Sequence, residues 1–321
     1  MDDAGTPLGD RDPAGDGHRD PSARTPPART PSAADVLRDV MEDAARLFVE
    51  NDVPERAATS GTGWLQPPTE GQVHQSRVAM RRMRSNLRTF RTLFDPAWNS
   101  ALRADLAWWI GVLGAERDLQ VLRHDVAVQG PLVVDADRLA PALARLDDAV
   151  SAAAADAGTA RASERHRLLV ARVDGVAGQL PFTPAATGPA AEVLPRLLVR
   201  TCHDLRGAGR TARAAPTDAH LHKLRIRAKA LRYGAETAAR VAGKPARKVA
   251  RAAEVLQTRL GEHHDAVVSL AWLDSLSRRE PDLAPVAREL IVVQEATAVV
   301  VQRGWRRDLR EIERRWRAWT R

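Results

Sequence analysis

The chain has 321 residues, 44% apolar and only 4% aromatic, with a net charge of +8 and a sequence pI near 10.7. That length supports one large domain or two of ordinary size with a substantial core, and abundant Ala, Leu and Arg with scarce Tyr and Phe favour an all-α class. A single cysteine, Cys202, excludes an intrachain disulfide and a thiolate metal cluster and fits a reducing cytoplasm, while no apolar run of about 18 residues exists to form a spanning helix.

The basic balance points to a polyanionic partner: nucleic acid, an anionic membrane or a phosphate polymer. A GC-rich genome would also raise the arginine content. Residues 1–31 are rich in Pro, Gly, Asp and Ala without periodicity and read as a disordered tail. They carry no apolar stretch of the secretory type. Their six Asp and four Arg leave the remainder at +10, so the positive charge belongs to the helical part.

From Ser32 onward the pattern is helical. Ser32 is the expected N-cap of a helix with apolar Val36, Leu37, Val40, Met41 and Leu47. A loop around Ser60–Pro68 leads into a long basic helix, roughly 70–94. Asp95-Pro96 stops it and starts the next, with Asp95 as cap and Pro96 in the first turn. Gly114 is expected to break or kink that helix before another over 115–127. Helices follow over about 135–156 and 159–179, and QLPFTPAATGPAA marks a boundary between a first bundle, 32–180, and a second, 188–321. The second half then predicts helices over about 188–207, 217–242, 244–260, 262–278 and 283–318.

The two halves share two blocks. At an offset of 148, VHQSRVAMRRMR meets LHKLRIRAKALR: His74 pairs with His222, Arg77 with Arg225, Arg81 with Lys229 and Arg84 with Arg232. At an offset of 147, LGAERDLQVL meets LGEHHDAVVS, sharing Leu-Gly and, four residues on, Asp118 and Asp265. Two blocks in the same order argue for internal duplication.

Helix geometry tells what the basic residues do. With His74 at zero, Arg77, Arg81, Arg84, Arg88 and Arg91 fall at roughly 300°, 340°, 280°, 320° and 260°. They form one stripe, and Val73, Met80, Met83, Leu87, Phe90 and Phe94 fill the adjoining arc. An ordinary surface helix puts charge opposite its apolar face; charge that abuts the core suggests the wall of a groove. Crowded guanidinium groups repel one another. Either internal carboxylates (Asp118, Asp265, Glu116, Glu236) or an external polyanion must neutralise them, and basic residues on the stripe outnumber the acids. Arginine forks match phosphate oxygens, whereas nucleic-acid binders usually add stacking aromatics, which the stripes lack apart from Tyr233.

VHQSRVAMRRMRSNLRTF with LGAERDLQVL, and LHKLRIRAKALRYGAE with LQTRLGEHHDAV, resemble the CHAD domain, the conserved histidine α-helical domain, over roughly residues 32–319. The resemblance implies two helical bundles related by pseudo-two-fold symmetry, whose basic helices line a central groove. It further implies binding of inorganic polyphosphate and association with polyphosphate granules. The ligand set it implies is His74, Arg77, Arg81, Arg84, Arg88, His222, Arg225, Lys229 and Arg232. Arg82, Arg227, Tyr233, His263 and His264 are weaker candidates, and Glu236 stands where the first copy has Arg88. With neither strands nor an acidic ExExK-like start, the chain looks like the stand-alone form, for which no cofactor and no catalysis are expected.

Two alternatives remain at this point. One is a nucleic-acid-binding helical protein. The other is a metal-dependent phosphohydrolase built on His263-His264-Asp265, with His124-Asp125 or His203-Asp204 as further ligands. His203 and His220 read as ordinary surface or boundary histidines. The pairs Trp108-Trp109 and Trp316-Trp319 read as helix-packing residues, and WRRDLREIERRWRAWTR as a solvated amphipathic helix.

Overall fold

A computed structural model describes residues 30–52, 68–178 and 180–320. Residues 1–29 of the proposed tail and residues 60–67 of the loop around Ser60 lie outside the described residues. Within them there are ten α-helices, a few short 3-10 turns and no strand: α1 (Ala33–Asp52), α2 (Glu70–Thr89), α3 (Pro96–Gln129), α4 (Ala136–Arg161), α5 (Glu164–Asp174), α6 (Ala190–Ala214), α7 (Asp218–Ala242), α8 (Lys244–Arg279), α9 (Ala284–Gln302) and α10 (Trp305–Trp319).

Local chemistry starts each helix near the site. The Ser32 hydroxyl accepts from the Asp35 backbone N–H while Asp35 reaches back to the Ser32 N–H. Thr69 and Gln72 form the same reciprocal box ahead of α2. Asp95 caps α3 through the Trp98 N–H at 2.8 Å, with Pro96 in the first turn as the sequence predicts. Thr217 accepts from the His220 N–H and opens α7.

Four boundaries differ from the sequence expectation. The basic helix ends at Thr89, and Arg91–Leu93 forms a 3-10 turn. Gly114 and Gly261 break nothing: α3 and α8 run straight through them. An interior glycine costs a helix only about 1 kcal/mol, which packing along helices of this length overrides. The last predicted helix is two, divided at Gly304, whose φ of 103° is the left-handed region a side chain disfavours.

The larger hydrophobic cluster draws on both halves of the chain. The apolar arc of α2 is buried as its angles require, with Val73, Met80, Met83, Leu87 and Phe90 at 3% exposure or less, and so are Leu221, Leu224, Ala228 and Leu231 of α7. Trp109 and Trp316 are buried as packing residues. A smaller cluster joins α3, α4, α8 and α9 through Leu122, Leu146, Leu273 and Leu290.

One buried polar knot went unnoticed in the sequence. Asp52, at the end of α1, accepts from Ser76 Oγ at 3.0 Å, Trp109 Nε1 at 3.1 Å and His166 Nε2 at 2.6 Å. It ties α1, α2, α3 and α5 together and satisfies a carboxylate that burial would otherwise penalise. Helices α2 and α7 meet directly: Thr237 Oγ1 donates to Asn86 Oδ1 at 2.9 Å in the interior, and a Cβ on Gly234 would sit 2.4 Å from Leu198 and 3.2 Å from Thr89. A larger residue there would have to displace the Leu198 side chain.

Candidate polyanion site

Each basic stripe is pinned by the helix that follows it. Arg77 is buried and donates from NH1 to the Leu113 carbonyl at 2.9 Å, with Asp118 3.8 Å away. Arg225 lies across Gly261, its Nε and NH2 3.5 Å from where a Cβ would stand. The two Leu-Gly-x-x-x-Asp blocks thus seat buried Arg77 and half-buried Arg225, and neither Asp118 nor Asp265 caps a helix, since both lie well inside α3 and α8.

Four cations from the two stripes share one electrostatic environment: Arg77 and Arg81 from α2, Arg225 and Lys229 from α7. Burial, reinforced by Arg81, brings the Arg77 pKa down to about 10. Burial lowers Arg225 too, and Arg81 contributes across the interface. Lys229 falls to about 7, first through burial and then through the charges of Arg225, Arg81 and Arg77. Against them stand Asp118 and Asp265, and burial raises Asp265 above the usual carboxylate range. Among the described residues no carboxylate comes within ion-pair distance of Arg81, Arg225 or Lys229. The cations therefore exceed their partners, and buried Arg225 Nε has no hydrogen-bond partner.

Histidines flank this cluster. His74 is exposed, and burial together with Arg117, Arg77 and Arg81 lowers its pKa. The His222 ring packs on that of His264 at 4.4 Å, and its Nδ1 is buried without a partner. Burial and the charges of Arg225, His222 and Lys229 bring His264 down to about 4. His263 points the other way: its ring is buried and Nε2 meets Asp218 Oδ1 at 3.0 Å.

The remaining candidates separate. Arg232 is held by Glu236 and Glu254, each at 2.8 Å, so its charge is already matched within the chain. Arg82 bonds Glu236 at 3.0 Å, and Arg227 meets Asp204 at 3.2 Å. Tyr233 is buried beneath the Arg232 guanidinium and offers no stacking face. Arg84 and Arg88 lie towards the other end of α2: burial lowers both, Arg84 next through Arg103, and Arg88 next through Arg227 and Arg103.

Arg103 and Arg117 escaped the sequence reading. Arg117 precedes Asp118 in the repeated block and bonds Glu70 and Gln120, so the signal was adjacent to a residue already singled out. Among the described residues, no three His, Cys, Asp or Glu side chains gather as a metal ion would require, and no helix is long and apolar enough to cross a membrane. Burial pushes the Cys202 thiol up to about 11, leaving it inert.

A family model described as the CHAD domain matches residues 55–274. Two solved structures share the fold. One is PptA from Streptomyces chartreusis, 22% identical, covering 89% of this chain and 99% of its own at a TM-score of 0.65. The other is the CHAD domain from the plant Ricinus communis, 24% identical, covering 89% of this chain and 92% of its own at a TM-score of 0.67. No curated protein matches the chain.

Proposed function

Since the chain belongs to the CHAD domain family, we propose that it binds inorganic polyphosphate without turning it over. On this reading α2 and α7 are copies of one element, and their stripes face each other across a groove. The observation that carries it is the excess of cations where the stripes converge: Arg77, Arg81, Arg225 and Lys229 against Asp118 and Asp265. Partly desolvated guanidinium groups bind phosphate oxygens through short, charge-assisted bonds, and a bound anion would offset the repulsion that lowers Lys229.

A polymer of bare phosphates suits the site better than nucleic acid. Tyr233 is covered, and the two ring systems nearest the cations, His222 and His264, pack against each other at a tilt of 43°. No base-stacking platform lies beside the four cations among the described residues. A cytoplasmic setting and attachment to polyphosphate granules belong to the same reading.

The test is competition between long-chain polyphosphate, DNA and RNA at one near-physiological salt concentration, because every polyanion weakens with salt by counterion release. Polyphosphate prevails if the reading holds; DNA or RNA prevailing at equal phosphate concentration overturns it. Phosphate release from the polymer, measured with and without divalent metal, stays at the background rate for a binder and rises for a hydrolase.

A further inference from the structure

The C-terminal end of α2 carries a second cationic site, built chiefly with α6 and touching α7 through Arg227 and Ala230. Arg88 and Arg91 from the α2 side, Arg196 and Arg200 from α6, and Arg227 from α7 line a pocket of about 230 Å³. Asp204 lines it too, but it is paired with Arg227 at 3.2 Å. Among the described residues no carboxylate is within ion-pair distance of Arg88, Arg91, Arg196 or Arg200.

A second observation points to an oxyanion. Thr89 lines the same pocket, and its buried Oγ1 has no hydrogen-bond partner. Four unneutralised guanidinium groups lining one pocket are a donor set for phosphoryl oxygens, to which the Thr89 hydroxyl adds on turning outward from its buried position. The volume lies below the roughly 300–1,000 Å³ of pockets that enclose drug-sized ligands, and no aromatic ring lines it. It therefore suits a compact anion rather than a nucleotide.

The matching end of α7 shows what balance looks like. There α1 presents Asp39 and Asp43 to Arg240, and Glu236 takes the place of Arg88. At the end of α2 the facing helix presents Arg196 and Arg200, again four residues apart. We propose that this pocket is a second oxyanion site, distinct from the groove between the stripes, for a compact phosphoryl group: free pyrophosphate or the end of a polyphosphate chain.

Calorimetric titration of the full chain with inorganic pyrophosphate tests it. In an Arg81→Glu/Lys229→Glu background, where the groove is disabled, pyrophosphate still binds at a single molar equivalent. Adding Arg196→Glu and Arg200→Glu weakens that binding by about tenfold or more, as expected on reversing charges that meet phosphate directly. Arg196→Gln/Arg200→Gln weakens it in the same direction with no charge reversal to disturb folding, and both α6 positions are exposed. Absence of binding in the groove-disabled background, or binding that survives the α6 changes, overturns the proposal. In an otherwise unaltered chain, the α6 changes weaken long-chain polyphosphate if the pocket takes the polymer end and leave it unchanged if the pocket takes free pyrophosphate. The groove reading fails on a different result, full polymer affinity in the Arg81/Lys229 variant, so the two failures are separable.

Discussion

Arg84 and Arg232 stand at the same step of a 148-residue offset, yet their surroundings are opposite. Arg232 loses stability as a cation through burial, but its bond to Glu236 and the charges of Glu236 and Glu254 more than compensate, and its pKa is raised. Arg84 experiences burial and then the like charge of Arg103, and its pKa is lowered. The same residue type on the same helical face is thus a closed salt bridge in one half and an unmatched charge in the other. What decides availability for a ligand is first the helix itself, where α7 has Glu236 and α2 has Arg88, and then the neighbouring helix, where α8 adds Glu254 and α3 adds Arg103.

The largest way to break this comparison is at the centre, where neither half is closed. Arg81→Glu combined with Lys229→Glu is expected to lower polyphosphate affinity by about a hundredfold or more, since each reversal replaces a partly desolvated attraction with repulsion. Far-UV circular dichroism should remain helical. Loss of helicity with loss of binding would make the stripe structural.

Next comes pH. Lys229 is neutral above about pH 7 in the free chain, and a bound polyanion draws its pKa back towards that of an ordinary lysine. Binding therefore takes up a proton above pH 7, and affinity falls by up to about tenfold per pH unit as pH rises from 7 towards 9. Lys229→Arg should flatten this slope. His74 and His222 titrate below 6.5, so their contribution appears only on the acid side and strengthens binding as pH falls.

Opening the closed bridge sharpens the comparison. Glu236→Gln with Glu254→Gln frees Arg232, and Arg82 with it, and should raise polyphosphate affinity by about fivefold, the scale of one partly exposed charge interaction; unchanged affinity would place both arginines away from the bound polymer. The smallest effect separates the two arginines themselves. Arg84→Gln should weaken binding by about threefold, whereas Arg232→Gln leaves it within about twofold. Equal losses at both positions would remove the asymmetry.

These differences explain how much was legible in advance. The helices of α2 and α7 could be read because Val73, Met80, Leu87 and their counterparts keep a 3.6-residue period over many turns, and Asp95-Pro96 is a local start signal. The central cations could be read for the same reason: position on a helix fixes which side chains share a face. Gly114 and Gly261 misled because a glycine is weighed locally, whereas packing along the whole helix decides continuity. Glu254 closing on Arg232, Asp218 capturing His263, and Arg196 with Arg200 meeting Arg88 all depend on which helices become neighbours. One sequence carries no periodic signal for that.

The central claim, that Arg77, Arg81, Arg225 and Lys229 jointly hold an anionic polymer, is tested most directly by diffraction from crystals grown with polyphosphate. The account predicts a chain of phosphate density between α2 and α7, with oxygens within hydrogen-bond reach of Arg81 and Lys229 together. Density confined to the outer surface, with water alone between those two side chains, would contradict it.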